Sequence, residues 1–226
     1  MARTNNLTDF LSDVADAIRT KKGTSETIPA KDFDTEIENL PSGGGKYAPQ
    51  YVRFGLNGIT DLSYEVENLD TSNMTTMISM FNGAGSITSL NISGFNTSNV
   101  TSFEFMFQNC SSLTSINFGN IDTSKVTTMN NMFSGCRSLT TLDLSKFIIN
   151  SNIITSGMFM NCTSLEKLDI RTMPASKLSG TYMFSGVSNN CEIIVNSQTE
   201  KDVMTSSWPN LTNVKTVAEY EAEQNA

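Results

Sequence analysis

The sequence predicts an α+β solenoid, in which short repeats stack on one another along the chain. The pair Met-Phe recurs at steps of 26, 26, 26 and 25 residues, from Met80-Phe81 to Met183-Phe184. Hydrophobic residues make up only 38% of the 226 residues, whereas Ser, Thr and Asn together make up about a third. A thin core that is repeated in every coil needs few apolar side chains, so a stack of repeats accounts for this composition.

Each repeat carries a strand signature after its Met-Phe pair. The pattern is L-x-x-L-x-L, and the alternation of its last two apolar positions predicts a short strand with one buried face. Its members are Ile87/Leu90/Ile92, Leu113/Ile116/Phe118, Leu139/Leu142/Leu144 and Leu165/Leu168/Ile170. Because the period of 26 lies inside the leucine-rich-repeat range of about 20–29 residues, the sequence predicts a leucine-rich-repeat stack.

A short helical or 3-10 segment is expected in front of each strand. The third repeat has apolar residues at i, i+3, i+6 and i+7, which suits one or two helical turns. These residues are Val126, Met129, Met132 and Phe133. Turn-forming residues such as Asp122-Thr123-Ser124 recur between the repeats and are predicted to be structural.

Composition and charge exclude several functions. The chain has no histidine, which excludes Ser-His-Asp and Cys-His catalysis and His-ligated metals. We therefore expect no catalytic residue, no cofactor and no metal site. The net charge of −8 disfavours nucleic acid as a partner. No apolar stretch suits a membrane span, and the polar N-terminus does not resemble a signal peptide, so we expect neither membrane insertion nor export by a cleaved signal peptide.

Three cysteines occupy the same position in successive repeats, three residues after a Phe. They are Cys110, Cys136 and Cys162. Neighbouring rungs about 4.8 Å apart would allow a bridge by distance, but three equivalent thiols cannot all pair. We interpret them as a ladder of buried thiols, with a metal or redox site as the alternative.

The two ends of the chain differ from the repeats. We predict an attachment segment of two amphipathic helices over residues 1–40, a Gly-rich linker over 41–46, the solenoid with its caps over 47–217 and an acidic, fraying tail over 218–226. The candidate attachment residues are Phe10, Leu11, Val14, Ile18, Phe33 and Ile37. A helical cap on the solenoid is the alternative for the first segment, and pairing in a homo-oligomer is also compatible with it.

The last coil is expected to close the stack. Cys191–Val195 takes the strand position, and Ile194 replaces the polar outward residue of the earlier coils. Such a replacement indicates that something covers this strand. Trp208 is predicted to anchor the cap rather than to contact a ligand.

Polar residues between the buried strand positions are predicted to face outward and to form ladders that could contact a ligand. The candidate residues are Ser89, Asn91, Ser115, Asn117, Thr141, Asp143, Lys167, Asp169 and Arg171. Hydroxyl and amide groups suit hydrogen bonds to a bacterial surface glycan or to a protein backbone. A face that only keeps the chain soluble is the competing interpretation for any single residue.

The order Asp-Thr-Ser-x-Val/Met, Met-Phe-x-x-Cys and Ser-Leu-x-x-Leu-x-Leu resembles the BspA-type leucine-rich-repeat surface proteins over about residues 69–195. The repeat from Phe147 departs from this pattern, since Ile148-Ile149-Asn150 replaces the Asp-Thr-Ser turn. The stretch DVADAIRTKKGTSETIPAKDF resembles a segment of structural and tail proteins of phages of Gram-positive bacteria. The first resemblance implies surface display and adhesion without a reaction.

The leading hypothesis is a non-enzymatic phage virion surface protein, made in the host cytoplasm. Its first 40 residues would dock onto other virion proteins, and the repeats would adhere to the host surface or decorate the capsid or tail. A bacterial cell-surface adhesin is the alternative. An enzymatic interpretation would rest on Asp143 and Asp169, which are expected on adjacent rungs about 5 Å apart, close to the carboxylate spacing of a retaining glycosidase.

Overall fold

A computed structural model describes residue 69 and residues 71–226, all within the second of the two units into which the chain divides, Tyr51–Ala226. The predictions for the attachment segment, the linker and the first coil lie outside the described residues. The strands are β1 (Ser89–Asn91), β2 (Ser115–Asn117), β3 (Thr141–Asp143), β4 (Ile153–Ile154), β5 (Lys167–Asp169), β6 (Leu178–Ser179), β7 (Glu192–Val195) and β8 (Val214–Thr216). A 3-10 turn spans Ala175–Lys177, and the helices are α1 (Gln198–Ser207) and α2 (Val217–Gln224).

All paired strands are parallel, and the sequence period sets their register. In β1–β2 and β3–β5 the paired residues are 26 positions apart, as in Ser89 with Ser115 and Thr141 with Lys167. The pairs β5–β7 and β4–β6 have a spacing of 25, which matches the shortened last Met-Phe step. The strands form three sheets, β1-β2, β3-β5-β7-β8 and β4-β6. Equivalent residues of successive repeats therefore lie side by side.

The helical turns predicted over Val126–Phe133 are not formed. Consecutive β-turns occupy this region, because alternate backbone N–H groups bond in two different directions. The N–H of Met132 donates to the Met129 carbonyl at 3.2 Å, whereas the N–H of Phe133 donates to Met158 of the next repeat at 2.9 Å. Asn131 and Gly135 also have positive φ angles of 52° and 78°, which an α-helix does not accept.

The core beneath the strands is a continuous column of aromatic rings. Each repeat contributes the buried Phe of its Met-Phe pair to this column, and neighbouring rings stack with centroids 5.5–5.9 Å apart. The members are Phe81, Phe107, Phe133, Phe159 and Phe184. Stacked rings at this distance are attractive, so the Met-Phe repeat has a direct packing role.

The Thr of the Asn-Thr-Ser and Asp-Thr-Ser turns at residues 96–98 and 122–124 joins one repeat to the next. The hydroxyl of Thr97 donates to the carbonyl of Asp122 at 2.9 Å and accepts the Asp122 N–H at 2.8 Å. The hydroxyl of Thr123 donates to the carbonyl of Ile148 at 2.8 Å. In the divergent fourth repeat Ile149 takes the Thr position, and Lys177 donates to its carbonyl. The motif is therefore structural, as the sequence indicates.

The stack is closed at its C-terminal end by β7, α1 and β8. The predicted closing strand is present as Glu192–Val195. Trp208 packs edge-on against Phe184 with ring centroids 5.2 Å apart, so it does anchor the cap. The side chain of Ser197 caps α1 by accepting the N–H of Glu200.

The tail over residues 218–226, which the sequence predicts to fray, is mostly helical in the structure. Residues 217–224 form α2, which begins with a capping box: Thr216 accepts the N–H of Glu219, and Glu219 accepts the N–H of Thr216. This arrangement satisfies N-terminal donors that a frayed helix would leave to water. The packing of α2 against β7 and β8 gives it tertiary support.

Candidate functional site: the outward face of the strands

The outward face of β1, β2 and β3 is open to solvent. Alternation along each strand turns Leu90 and Leu142 into the core and places their neighbours outside. The six predicted residues on these strands are all exposed: Ser89, Asn91, Ser115, Asn117, Thr141 and Asp143. We call these six residues the open ladder. They are where the sequence places them.

The first row of the open ladder consists of hydroxyl groups. Ser89 and Ser115 occupy paired positions on β1 and β2, and Thr141 is their equivalent on β3. Their hydroxyls make no hydrogen bond to any other part of the chain that the structure describes. Each hydroxyl can therefore donate and accept toward a ligand.

The second row has a structural role that the sequence analysis missed. Each side chain accepts a hydrogen bond from the backbone N–H two residues later, which forms an Asx turn at the end of the strand. The bonds are Ser93 to Asn91 at 3.2 Å, Gly119 to Asn117 at 3.1 Å and Ser145 to Asp143 at 2.8 Å. Because these bonds engage Oδ1 of each Asn, the Nδ2 group remains as the outward donor. The signal in the sequence was the Asn or Asp before a Ser or Gly two positions on.

The three remaining predicted residues do not lie on an open face. Asp169 is buried, and Lys167 and Arg171 are half-buried. The ammonium group of Lys167 lies 4.1 Å from the ring centroid of Tyr220 on α2 and hydrogen-bonds to its hydroxyl. The prediction that these residues face a ligand is therefore wrong for the structure described, because α2 folds back over them. We call the outward face of β5, β7 and β8 the covered face.

The centre of the covered face is apolar. Ile194 on β7 pairs with Asp169 on β5 and with Lys215 on β8, so it belongs to the outward row. It is fully buried but does not belong to the core beneath the sheet. The cover that the sequence predicted for this residue is present, and α2 contributes to it.

Charged side chains surround Ile194 and hold α2. The guanidinium group of Arg171 binds Asp169 with an Nη2–Oδ2 distance of 2.6 Å, and this bond raises the pKa of Arg171. Three ion pairs reach α2: Lys201–Glu219, Arg171–Glu221 and Lys215–Glu223. Hydrogen bonds to Glu192 and Glu223 raise the pKa of Lys215.

Asp143 and Asp169 occupy paired positions on adjacent strands, as predicted. Their surroundings differ. Both carboxylate oxygens of Asp169 accept hydrogen bonds from Arg171 at 2.6–3.0 Å, and Asp143 accepts the Ser145 N–H. A retaining glycosidase needs one carboxylic acid that can give its proton to the leaving group. Both oxygens of Asp169 are engaged by the Arg171 side chain, so this carboxylate is not free to contact a leaving group.

The cysteines are buried free thiols. The thiols of Cys110, Cys136 and Cys162 each donate to a Phe carbonyl of the preceding repeat at 3.1 Å. Burial raises the pKa of Cys162 and of Cys191 to about 12, so neither forms the reactive thiolate at neutral pH. This arrangement is the structural thiol ladder that the sequence predicts.

The described residues contain neither a metal-binding cluster nor a membrane-spanning helix. Within residue 69 and residues 71–226, no three His, Cys, Asp or Glu side chains are grouped so that they could hold a metal ion. The same part of the chain contains no helix with the length and apolar character of a membrane span. The six candidate attachment residues, Phe10 to Ile37, lie outside the described part.

The family described as "Mycoplasma protein of unknown function, DUF285" matches residues 53–117 and 115–198, which is more than half of the chain. The chain belongs to this family. The DUF285 match covers the Met-Phe repeats and agrees with the repeat-family part of the BspA-type resemblance, whereas residues 1–52 lie outside it. No curated protein and no solved structure matches the chain, and the comparisons give no similarity to phage tail proteins.

Proposed function

We propose that this DUF285 chain is a non-enzymatic adhesion module whose repeats form a leucine-rich-repeat solenoid. The open ladder is its contact surface. The observation that supports this function most directly is the row of Ser89, Ser115 and Thr141, whose exposed hydroxyls have no partner in the described part of the chain. A regular row of free donors and acceptors on a rigid parallel stack is the arrangement that repeat proteins use for extended ligands.

The ligand proposed is an uncharged polar polymer on a bacterial surface, such as a glycan. The first row offers hydroxyls, and the second row offers the Nδ2 donors of Asn91 and Asn117, since their oxygens are occupied by Asx turns. Only Asp143 brings a charge to the open ladder. Sugar hydroxyl and ring oxygens accept from such donors, whereas a highly charged ligand would find no counter-charge there.

Binding to an array of bacterial surface glycans tests this function. We expect the triple variant Ser89→Ala, Ser115→Ala, Thr141→Ala to lose at least about tenfold in affinity, because three hydrogen-bonding groups disappear. Its stability should change little, since the hydroxyls are exposed. A matched control is Thr163→Ala with Ser164→Ala, two exposed hydroxyls that lie between Cys162 and β5. Equal glycan binding by both variants would show that the open ladder is not the contact surface.

Within this function, we place the module on a phage virion, either on the tail or as a capsid decoration. Support comes from the sequence of residues 1–45: the apolar stripe from Phe10 to Ile18, the resemblance of this segment to phage structural proteins, and the glycines at 43–45. Other virion proteins would bind the first 40 residues. Deletion of residues 1–45 should prevent incorporation into particles and leave a folded repeat stack, as judged by circular dichroism. Incorporation that persists after the deletion would contradict the docking role.

The second candidate is a bacterial cell-surface adhesin of the BspA type. The family match over residues 53–198 favours it, because the match covers the repeats rather than the N-terminal segment. Antibody labelling of intact cells and of purified particles separates the two. Label on particles supports the virion protein, and label on uninfected cells supports the adhesin.

A further inference from the structure

The helix α2 is held on the covered face by weak contacts. None of its residues is buried, and the carboxylates of Glu219, Glu221 and Glu223 are 44–63% exposed. Ion pairs with this exposure contribute little to stability, and a helix of eight residues does not persist without tertiary support. Opening of α2 should therefore require far less free energy than unfolding of the stack.

The surface beneath α2 differs from an ordinary solvated face. Ile194 at its centre is fully buried in the closed state. Three cationic side chains border it, and all three contact α2: Lys167, Arg171 and Lys215. When α2 lifts, the surface presents an apolar centre bordered by these three cations. Arg171 remains paired with Asp169 and Lys215 with Glu192, so Lys167 is the cation without a carboxylate partner among the described residues.

The resident helix defines the chemistry that this surface accepts. Residues of α2 place two carboxylates and one aromatic ring against the surface: Glu221 pairs with Arg171, and Glu223 pairs with Lys215. The ring of Tyr220 lies against the ammonium group of Lys167, and Glu219 pairs with Lys201 on α1. Carboxylates toward cations and a ring toward an ammonium group are both favourable contacts. A second segment with the same pattern would make the same contacts.

We propose that the covered face is a second binding site, for an acidic helical segment of a partner protein, and that α2 is its displaceable resident. The site adds to the open ladder of the proposed function, and its ligand class is different. The partner must outcompete a tethered helix, whose effective concentration is in the millimolar range or above. An acidic segment that binds weakly therefore does not displace α2, whereas one that binds tightly does.

A cysteine placed under α2 measures the opening directly. In the full chain, Ile194→Cys puts a thiol on the covered face, and Ile193→Cys puts one on the core side of the same strand. Lifting of α2 exposes position 194 only, whereas unfolding exposes both. We expect iodoacetamide to label position 194 at least about tenfold faster than position 193. The buried native thiols set the background rate.

Removal of the helix charges should speed the opening, and an added helix should reverse it. Glu219→Gln, Glu221→Gln and Glu223→Gln together should raise the labelling rate at position 194 about tenfold. A peptide of residues 216–226 should then slow labelling at millimolar concentration. The same peptide with the three Glu changed to Gln, or a chain that also carries Lys215→Gln, should give no protection.

Two outcomes would overturn the inference. Equal labelling of positions 193 and 194 in all variants means that α2 does not open, and opening without protection by the acidic peptide means that the surface is not a site. If Ile194→Cys does not fold, hydrogen exchange on the unmodified chain decides: residues 217–224 must exchange much faster than β5 and β7. None of these readouts depends on glycan binding, so failure of the proposed function would be seen separately.

Discussion

The open ladder and the covered face are two halves of one architecture with opposite surfaces. On β1–β3 the outward positions carry hydroxyls, amides and a single carboxylate, all in water. On β5, β7 and β8 the outward positions carry lysines, acidic residues and Ile194, and α2 lies over them. The strand pairs are parallel in both halves, so the two surfaces differ in their outward side chains and in the helix that covers one of them.

This contrast shows what the terminal repeat needs. A chain of stacked repeats has an exposed last rung, which must be covered to stay soluble. Here β8 and α1 cover the end of the stack, and Trp208 packs onto Phe184. The helix α2 instead packs on the outward face of β7 and β8. In this position it does not help to close the end of the stack. The covered face therefore carries a packed helix, which the open ladder lacks.

The largest effect should come from the core that both halves share. Phe133 is fully buried and stacks on Phe107 and Phe159 at 5.5 and 5.9 Å. We expect Phe133→Ala to lower the free energy of unfolding by about 3–5 kcal/mol, because it leaves a cavity in the middle of the column. Urea denaturation measures this loss. Tyr182→Ala, at a side chain that is 71% exposed, serves as the control and should change the midpoint little.

Exchanging the outward residues of the two halves should lower the free energy of unfolding by unequal amounts. Ile194→Asn places an amide under α2 and should cost about 1–3 kcal/mol of unfolding free energy if it has no partner there. Asn117→Ile removes an Asx-turn bond on the open ladder and exposes an apolar side chain, so its cost should be smaller, about 1 kcal/mol. Chemical denaturation of both variants tests the order. A larger loss for Asn117→Ile would contradict the distinction between the halves.

Substitutions in the two rows of the open ladder should differ in how much they lower the free energy of unfolding. Asn117→Ala removes the acceptor for the Gly119 N–H and should cost about 0.5–1.5 kcal/mol. Ser115→Ala should cost less than about 0.5 kcal/mol, because its hydroxyl is exposed. Thermal unfolding of the two variants measures this. Equal losses would mean that the first row is structural as well.

Acidification should loosen the N-terminal end of α2, the helix that lies over the covered face. Hydrogen bonds from Lys201 and from the backbone and hydroxyl of Thr216 lower the pKa of Glu219. Because the folded-state pKa lies below the ordinary Glu value of about 4.3, the stabilising contribution is complete above that value and disappears as the pH falls through the lower one. The NMR shifts of the Tyr220 ring should follow this loss. Glu219→Gln should abolish the part of the change that Glu219 causes.

The sequence predicts the parts of this structure that depend on period. The positions of β1, β2, β3, β5 and β7 follow from apolar alternation at a 26-residue step, and the buried thiols follow from their equivalence. The helical turns were a wrong prediction, because apolar residues at i and i+3 also suit consecutive β-turns. In such turns alternate N–H groups bond to the next repeat, which no local pattern reveals.

The candidate site was predicted in one half only. The open ladder was predictable because outward positions in a strand alternate with buried ones. The covered face was not, since Lys167 and Tyr220 lie 53 positions apart in the chain and meet only when α2 folds back. A segment rich in Glu near a terminus carries no local sign of the cations that will hold it.

One pair of variants tests most directly whether the open ladder is the contact surface. Ser115→Arg places a bulky charge in the centre of the first row, and Ser151→Arg places the same side chain at an exposed position just before β4. Both proteins are titrated on the array of bacterial surface glycans. We expect Ser115→Arg to lose at least about tenfold in affinity and Ser151→Arg to stay within about twofold of the parent. Unchanged glycan binding by Ser115→Arg would contradict this expectation.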